Sequence, residues 1–291
     1  DFFKKIEEVV HSFSLTEKLI FGLFVVLFIG STALMLININ EDFLVETPAY
    51  GGVLHEGVIG TPRFINPLIA VSGADRDLTS LVYSGLMRNS SYTDEEGESV
   101  SELIPDLSER YEVSEDGLEY RFFLRSEIKF HDGKTVTADD VIFTILKTQE
   151  TEIESPHRGE WEGIAIERIS ETELVFRLKQ PYDNFLESTT LGVLPKHLWE
   201  NILSNGFSLS KHNVEPVGSG PYKVSKVSRD STNIPVSYTL NSFNKYAMGR
   251  PFINKIVLHF ARNDVEILEM FDNGTIDAMS GISAEAANQV S

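Results

Sequence analysis

The sequence predicts a mixed α/β protein carried outside a membrane on one N-terminal helix. Three observations carry that reading. The first is Leu19 to Ile39, a run of 21 residues without a charge, which as a helix spans about 32 Å, the thickness of a bilayer's hydrocarbon core. The second is the texture of the remainder, where period-2 strand patterns and 3.6-period helical patterns interleave without strict βαβ alternation, as in an α/β or α+β chain of at least two lobes. The third is charge. The 25 Lys+Arg against 44 Asp+Glu give a net −19, a poor match to nucleic acid, whose phosphates are bound by clustered Lys and Arg. Hydrophobic residues at 42% are ordinary for a packed core. Cysteine is absent, which excludes disulfides, thiolate nucleophiles, Cys-ligated metals and a lipidated cysteine anchor.

Lys4, Lys5 and Lys18 precede the apolar run; Glu41, Asp42 and Glu46 follow it, with no Lys or Arg before Arg63. The positive-inside rule then places residues 1–18 in the cytoplasm and everything after residue 40 outside. A cleaved secretory signal has a shorter apolar region, about 7–15 residues, ending in a small-x-small site. Here Ser31-Thr32-Ala33 is followed by more apolar sequence, Leu34 to Ile37, so an uncleaved anchor at 19–39 is the expectation. Phe2, Phe3, Ile6, Val9, Val10 and Phe13 have near-helical spacing, which suits either an amphipathic helix at the cytoplasmic face or an extension of the span. Residues 40–50, with Pro48 and the Gly51-Gly52 pair just beyond, read as a linker.

Past the linker, Val53 to Ile59 is a first strand, and Thr61-Pro62 and Asn66-Pro67 are turns. Leu78, Leu81, Val82 and Leu86 predict a helix over Asp75 to Met87. Leu118 to Leu124 follows an Asp116-Gly117 turn and places Tyr120, Phe122 and Leu124 on one face of a half-buried strand. After the His131-Asp132-Gly133 turn, Thr137 caps a helix with Asp140 at its third position, a capping box with Asp in place of Glu. Leu174 to Leu178 is a further strand, and Pro195 opens a short helix through Leu203 that Asn205-Gly206 ends. Strands follow at Tyr222 to Val227, Pro235 to Leu240 and Lys255 to Phe260. Asn263 then caps a helix through Phe271, and Ile276 to Met279 is a short last strand.

The search for chemistry returns little. None of the seven histidines, His11, His55, His131, His157, His197, His212 and His259, stands at a metal-ligand spacing from another, and no HExxH, GxSxG or phosphate loop occurs. His131 beside Asp132 is the one acid/base pair, and its Phe-His-Asp-Gly context makes a hairpin turn the better reading. Gly218-Ser219-Gly220-Pro221 is not a phosphate cradle, because Pro221 removes an amide donor and a strand follows. The run Asp94-Glu95-Glu96 reads as a solvated loop. No enzyme, cofactor or metal is expected.

Several blocks in order resemble one family, the extracytoplasmic solute-binding proteins of peptide-type ABC importers (solute-binding protein family 5). They begin with Gly57 to Asn66-Pro67 and the stretch Leu81-Val82-Tyr83-Ser84-Gly85-Leu86. The most specific runs from Pro105-Asp106-Leu107 through Asp116-Gly117, Tyr120-Arg121-Phe122-Phe123-Leu124-Arg125 and Phe130-His131-Asp132-Gly133 to Thr137-Ala138-Asp139-Asp140-Val141. Gly218-Ser219-Gly220-Pro221-Tyr222 and Gly274-Thr275-Ile276-Asp277 complete the match, which covers about residues 51–291. The resemblance implies a periplasmic-binding-protein-like α/β fold. Its discontinuous mixed-sheet lobe falls at 51–88 and 216–291, with a smaller α+β domain inserted at 89–215. Family members are longer, so the second ligand-clamping lobe is expected to be absent from this chain. The family's cysteine tether is missing, and the Leu19–Ile39 helix would replace it.

Site residues follow only from the resemblance. Val71, Ser72, Gly73 and Ala74 correspond to a cleft loop whose backbone pairs with an extended peptide as an added strand. His157 and Trp161, after Ser155-Pro156, fall where the inserted domain reaches the ligand, although Trp161 suits a core equally well. Ser280, Gly281 and Ile282 fall at the cleft mouth. The implied function is a membrane-anchored binding protein that captures peptides and delivers them to an ABC permease by closing two lobes, with no bond made or broken. Relatives that bind nickel chelates or oligosaccharides leave the solute open. A ligand-sensing receptor signalling through a partner chain is the competing reading, and a hydrolase resting on His131 and Asp132 a distant third.

Overall fold

The computed structural model describes residues 12–42, 48–94 and 97–288. Most of the expected amphipathic segment 2–18, residues 43–47 of the linker and Glu95-Glu96 of the acidic run lie outside the described residues. The chain divides into two units, one holding the N-terminal helix and the other spanning Tyr50–Ser291. The helix, α1, runs over Leu15–Asp42, and Leu15–Leu36 within it is long and apolar enough to cross a membrane.

In the second unit, a mixed five-stranded sheet gathers residues far apart in sequence. Its strands are β1 (Gly51–Ile59), β8 (Tyr222–Arg229), β9 (Pro235–Ser242), β10 (Ile253–Ala261) and β11 (Ala278–Ser280), in the order β11-β1-β10-β9-β8. β1 pairs in parallel with both β10 and β11, whereas β10, β9 and β8 form an antiparallel meander. The chain steps from β10 over β1 to β11 through α7 (Asp264–Asp272), which Asn263 caps by accepting the Glu266 N–H at 3.0 Å. Gly57 permits that crossing, since a β-carbon there would stand 2.8 Å from Ile267 of α7.

Between β1 and β8 lies an antiparallel sheet in the order β4-β5-β7-β6, made of β4 (Ser108–Val113), β5 (Glu119–Leu124), β6 (Ala165–Arg168) and β7 (Glu173–Arg177). A separate hairpin pairs β2 (Met87–Thr93) with β3 (Ser99–Pro105). β5 buries Tyr120, Phe122 and Leu124 in alternation, as the period-2 pattern requires. Against it packs α3 (Ala138–Gln149), and the single-turn helices α4 (Arg158–Trp161) and α5 (Phe185–Ser188) follow in the insert. The Asp140 carboxylate accepts the Thr137 N–H at 2.8 Å, the Thr137 hydroxyl at 2.9 Å and the Lys196 N–H at 2.9 Å. One side chain therefore caps α3 and fixes the start of α6 (Lys196–Trp199).

The structure differs from the sequence reading in four places. The helix expected over Asp75 to Met87 is α2 (Gly73–Val82). It stops at Tyr83 because the chain must then pass close to another backbone: a β-carbon on Gly85 would lie 2.6 Å from the Thr190 carbonyl carbon. Met87 instead begins β2. The helix expected from Pro195 to Leu203 is only the turn α6, and Asn205-Gly206 falls inside a 3-10 segment, Ser204–Leu209. There Phe207 folds back onto Trp199, ring centroids 4.5 Å apart, a gain available only in the tertiary structure. Strands β2, β3, β4 and β6 have weakly alternating sequences that gave no strand signal. Finally, Leu194, Trp199 and Phe207, assigned from sequence to the insert, pack with Val58, Leu78 and Leu258 of the five-stranded lobe.

Candidate functional site

Three parallel strands, β10, β1 and β11, deliver their carboxyl ends to one edge of the sheet, the edge where open α/β sheets bind ligands. Ser280 pairs with Val58 at the end of β11, and Gly281 follows with positive φ beside Ile59. Ile282 packs against the small apolar cluster of Ala261, Ile267 and Ile276, and the Ser283 N–H donates to Asp264 at 3.2 Å. The expected residues Ser280, Gly281 and Ile282 therefore sit at this strand end.

The loop leaving β1 is tied to the start of α2 by one buried carboxylate. Asp75 accepts the Arg63 N–H at 2.7 Å, the Phe64 N–H at 2.8 Å and the Ser72 N–H at 3.3 Å, while the Ser72 hydroxyl accepts the Asp75 N–H at 3.1 Å. This capping box already uses part of the 71–74 backbone that was expected to pair with a peptide as an added strand. Val71 is exposed and Ser72 extended, but Gly73 already opens the helix, Ala74 is buried, and the Ser72 N–H and carbonyl are committed to Asp75 and Arg76. The groups left open are the Val71 backbone and the first amides of α2, which have no intrahelical acceptor.

Upstream, the Asn66-Pro67 turn is locked by Asn213. The Asn66 side-chain amide donates to the Asn213 side chain at 3.0 Å, and the Ile65 N–H donates to the Asn213 carbonyl at 2.8 Å. A cavity of about 630 Å³ opens beside this turn, within the usual range for small-molecule sites. Ala70, Arg76 and Tyr83 line one side, His157, Glu160 and Glu187 the other. His157 thus stands in a cavity, its Nδ1 3.4 Å from Glu160. Trp161 does not. It is fully buried between Phe176 and Phe185, at centroid distances of 5.5 and 5.7 Å, and its place is in the core of the insert. Ser280 to Ile282 are not among the lining residues of this cavity.

His131 is structural. Its backbone N–H donates to the Gly218 carbonyl at 2.8 Å, its Nδ1 lies 3.3 Å from the Gly218 N–H and its Nε2 3.0 Å from the Gly220 carbonyl. Burial pushes its pKa down to about 4. Asp132 pairs with His197 instead, at 2.6 Å, so the two residues of the apparent dyad face different partners. Gly218 and Gly220 serve close packing: a β-carbon on Gly220 would stand 2.6 Å from the Val82 carbonyl carbon. The pairing of β1 with β10 also brings His55 Nδ1 within 3.1 Å of His259 Nε2, a meeting across 204 positions that sequence spacing cannot show. Among the described residues no group of three or more potential ligands is placed to hold a metal.

A discontinuous mixed sheet with an inserted antiparallel domain is the architecture of a periplasmic-binding-protein-like domain. Residues 102–291 match the bacterial extracellular solute-binding proteins, family 5 middle region, and the chain belongs to that family, one of solute binders and not of enzymes. It is similar to the oligopeptide-binding protein AppA of Bacillus subtilis (strain 168), 30% identical over 215 residues, covering 72% of this chain and 37% of AppA. The dipeptide-binding protein of Escherichia coli (strain K12) is 29% identical over 220 residues, covering 68% and 39%. The structure of AppA in complex with a nonapeptide aligns with TM-score 0.68 at 27% identity, covering 79% of this chain and 44% of that one. NikZ from Campylobacter jejuni in complex with Ni(L-His) aligns with TM-score 0.65 at 29% identity, covering 78% and 43%. The chain spans less than half the length of these relatives.

Proposed function

We infer that these 291 residues supply one lobe and the insert of a membrane-anchored, extracytoplasmic solute-binding protein that captures peptides for an ABC permease. α1 is the single-pass anchor, with its N-terminus cytoplasmic. A second lobe, carried by sequence outside this chain, closes over the strand ends and the start of α2. The observation that carries the reading is the cavity between α2 and the insert, because it lies beside the loop, residues 70–74, that the parallel strand edge holds in place. Peptides are favoured as the solute by the similarity to the oligopeptide- and dipeptide-binding relatives.

Calorimetry tests this with a mixed peptide library and, in parallel, nickel–histidine, on the 291-residue chain and on the longer natural protein. Peptide binding by the longer protein and negligible binding by the short chain is the expected result. Equal affinity of the two chains would remove the two-lobe mechanism, and binding of nickel–histidine alone would replace the solute.

A further inference from the structure

α2 and its C-cap residue turn Arg76, Thr79, Ser80 and Tyr83 toward the cavity, at the i, i+3, i+4 and i+7 spacing of one helical face. Ala74, Leu78 and Val82 hold the opposite face in the core. The Thr79 and Tyr83 hydroxyls are buried without a hydrogen-bond partner, a state that costs free energy unless something else satisfies them. Burial also pushes the Tyr83 pKa up, so the phenol stays a neutral donor. Arg76 takes part in none of the ion pairs among the described residues. One wall thus offers an exposed guanidinium, beside Asp77 and outside every ion pair among the described residues, and two buried hydroxyls without a partner. Glu160 and Glu187 of the insert also line the cavity, and their charge opposes a second anion.

Building on the solute-binding reading above, we propose that this cavity is the subsite for a single carboxylate of the bound solute. Arg76 is its counter-ion, and the neutral or cationic part of the solute lies toward Glu160 and Glu187. In a peptide that carboxylate is either the C-terminus or an Asp or Glu side chain. An Arg–carboxylate contact is charge-assisted and geometrically selective, and the glutamates make a dianion a poor occupant.

The test uses the full-length protein and four libraries of short peptides, C-terminal acids and amides, each with Asp and Glu present or replaced by Asn and Gln. Wild type should bind the carboxylate-bearing libraries about tenfold or more tighter than the library lacking both kinds of carboxylate. Arg76→Gln should abolish that preference and leave the uncharged library unaffected. A preference lost on amidation identifies the C-terminus, and one lost on Asn/Gln replacement identifies the side chain. Equal affinities in wild type, or a preference that survives in Arg76→Gln, overturns the subsite. If no library binds wild type, the peptide reading itself fails. N-acetylglycine against its amide, followed on the Arg76 side-chain resonance, then decides the subsite alone: a shift with the acid only sustains it, and no shift with either overturns it.

Discussion

At the scale of single residues, close approach and buried charge decide more than residue class. Gly220→Ala should destabilise the second unit by about 1–3 kcal/mol, because the added methyl meets the Val82 and Tyr83 backbone, which cannot yield without moving α2; denaturant unfolding measures it. His131 carries a pH dependence. Its folded pKa of about 4 lies below the ordinary 6.5, so between those values the unfolded chain binds the extra proton. Its contribution, on the order of 3 kcal/mol, is complete above about pH 6.5 and is lost as pH falls toward 4. Burial raises the pKa of Asp106 and Asp140, which acts in the opposite sense. The wild-type and His131→Gln stability curves should therefore converge or cross between pH 6.5 and 4, the variant having the shallower loss. Parallel curves would exclude His131 as the titrating group.

Elements bring in the geometry of helix starts. Gly73 is the first residue of α2, and Ser72 before it has φ −77° and ψ 160°. That conformation suits a residue preceding proline, and proline suits a first helical position. A β-carbon on Gly73 meets nothing within 4 Å. Gly73→Pro is thus expected to fold with unchanged or slightly raised melting temperature, by calorimetry. If the Gly73 amide donates to the solute, affinity falls roughly ten- to a hundredfold, the loss of one buried donor; undiminished affinity would take that amide out of the site. Ser72→Ala removes the hydroxyl that caps the helix and should cost about 0.5–2 kcal/mol of stability.

For the whole molecule, topology tests the proposed anchor. A protease added outside cells stripped of any outer barrier should release a fragment beginning between residues 41 and 52, with the N-terminus protected. Mature protein in the medium lacking residues 1–33 would instead identify a cleaved signal. The fold itself couples distant sequence: β1 finds its partners about 200 positions downstream, β10 at Ile253–Ala261 and β11 at Ala278–Ser280. The insert between them is joined to the lobe by the Asn66–Asn213 hydrogen bond and by Leu194, Trp199 and Phe207 in the lobe's core.

The apolar span, the alternation of β5, the Thr137–Asp140 box and the Asn263 cap were legible in the sequence, because each rests on local periodicity or on a side chain reaching its own backbone within four residues. The motif order was enough for the family as well. What only the tertiary structure decided are features made by long-range approach. They include the end of α2 at Tyr83, the burial of Trp161, the separation of His131 from Asp132 and the meeting of His55 with His259. Arg76, Thr79 and Tyr83 fall within the stretch predicted as a helix, but nothing in the sequence singles them out, because a donor becomes a candidate site only when packing denies it a partner and brings residues from another part of the chain beside it.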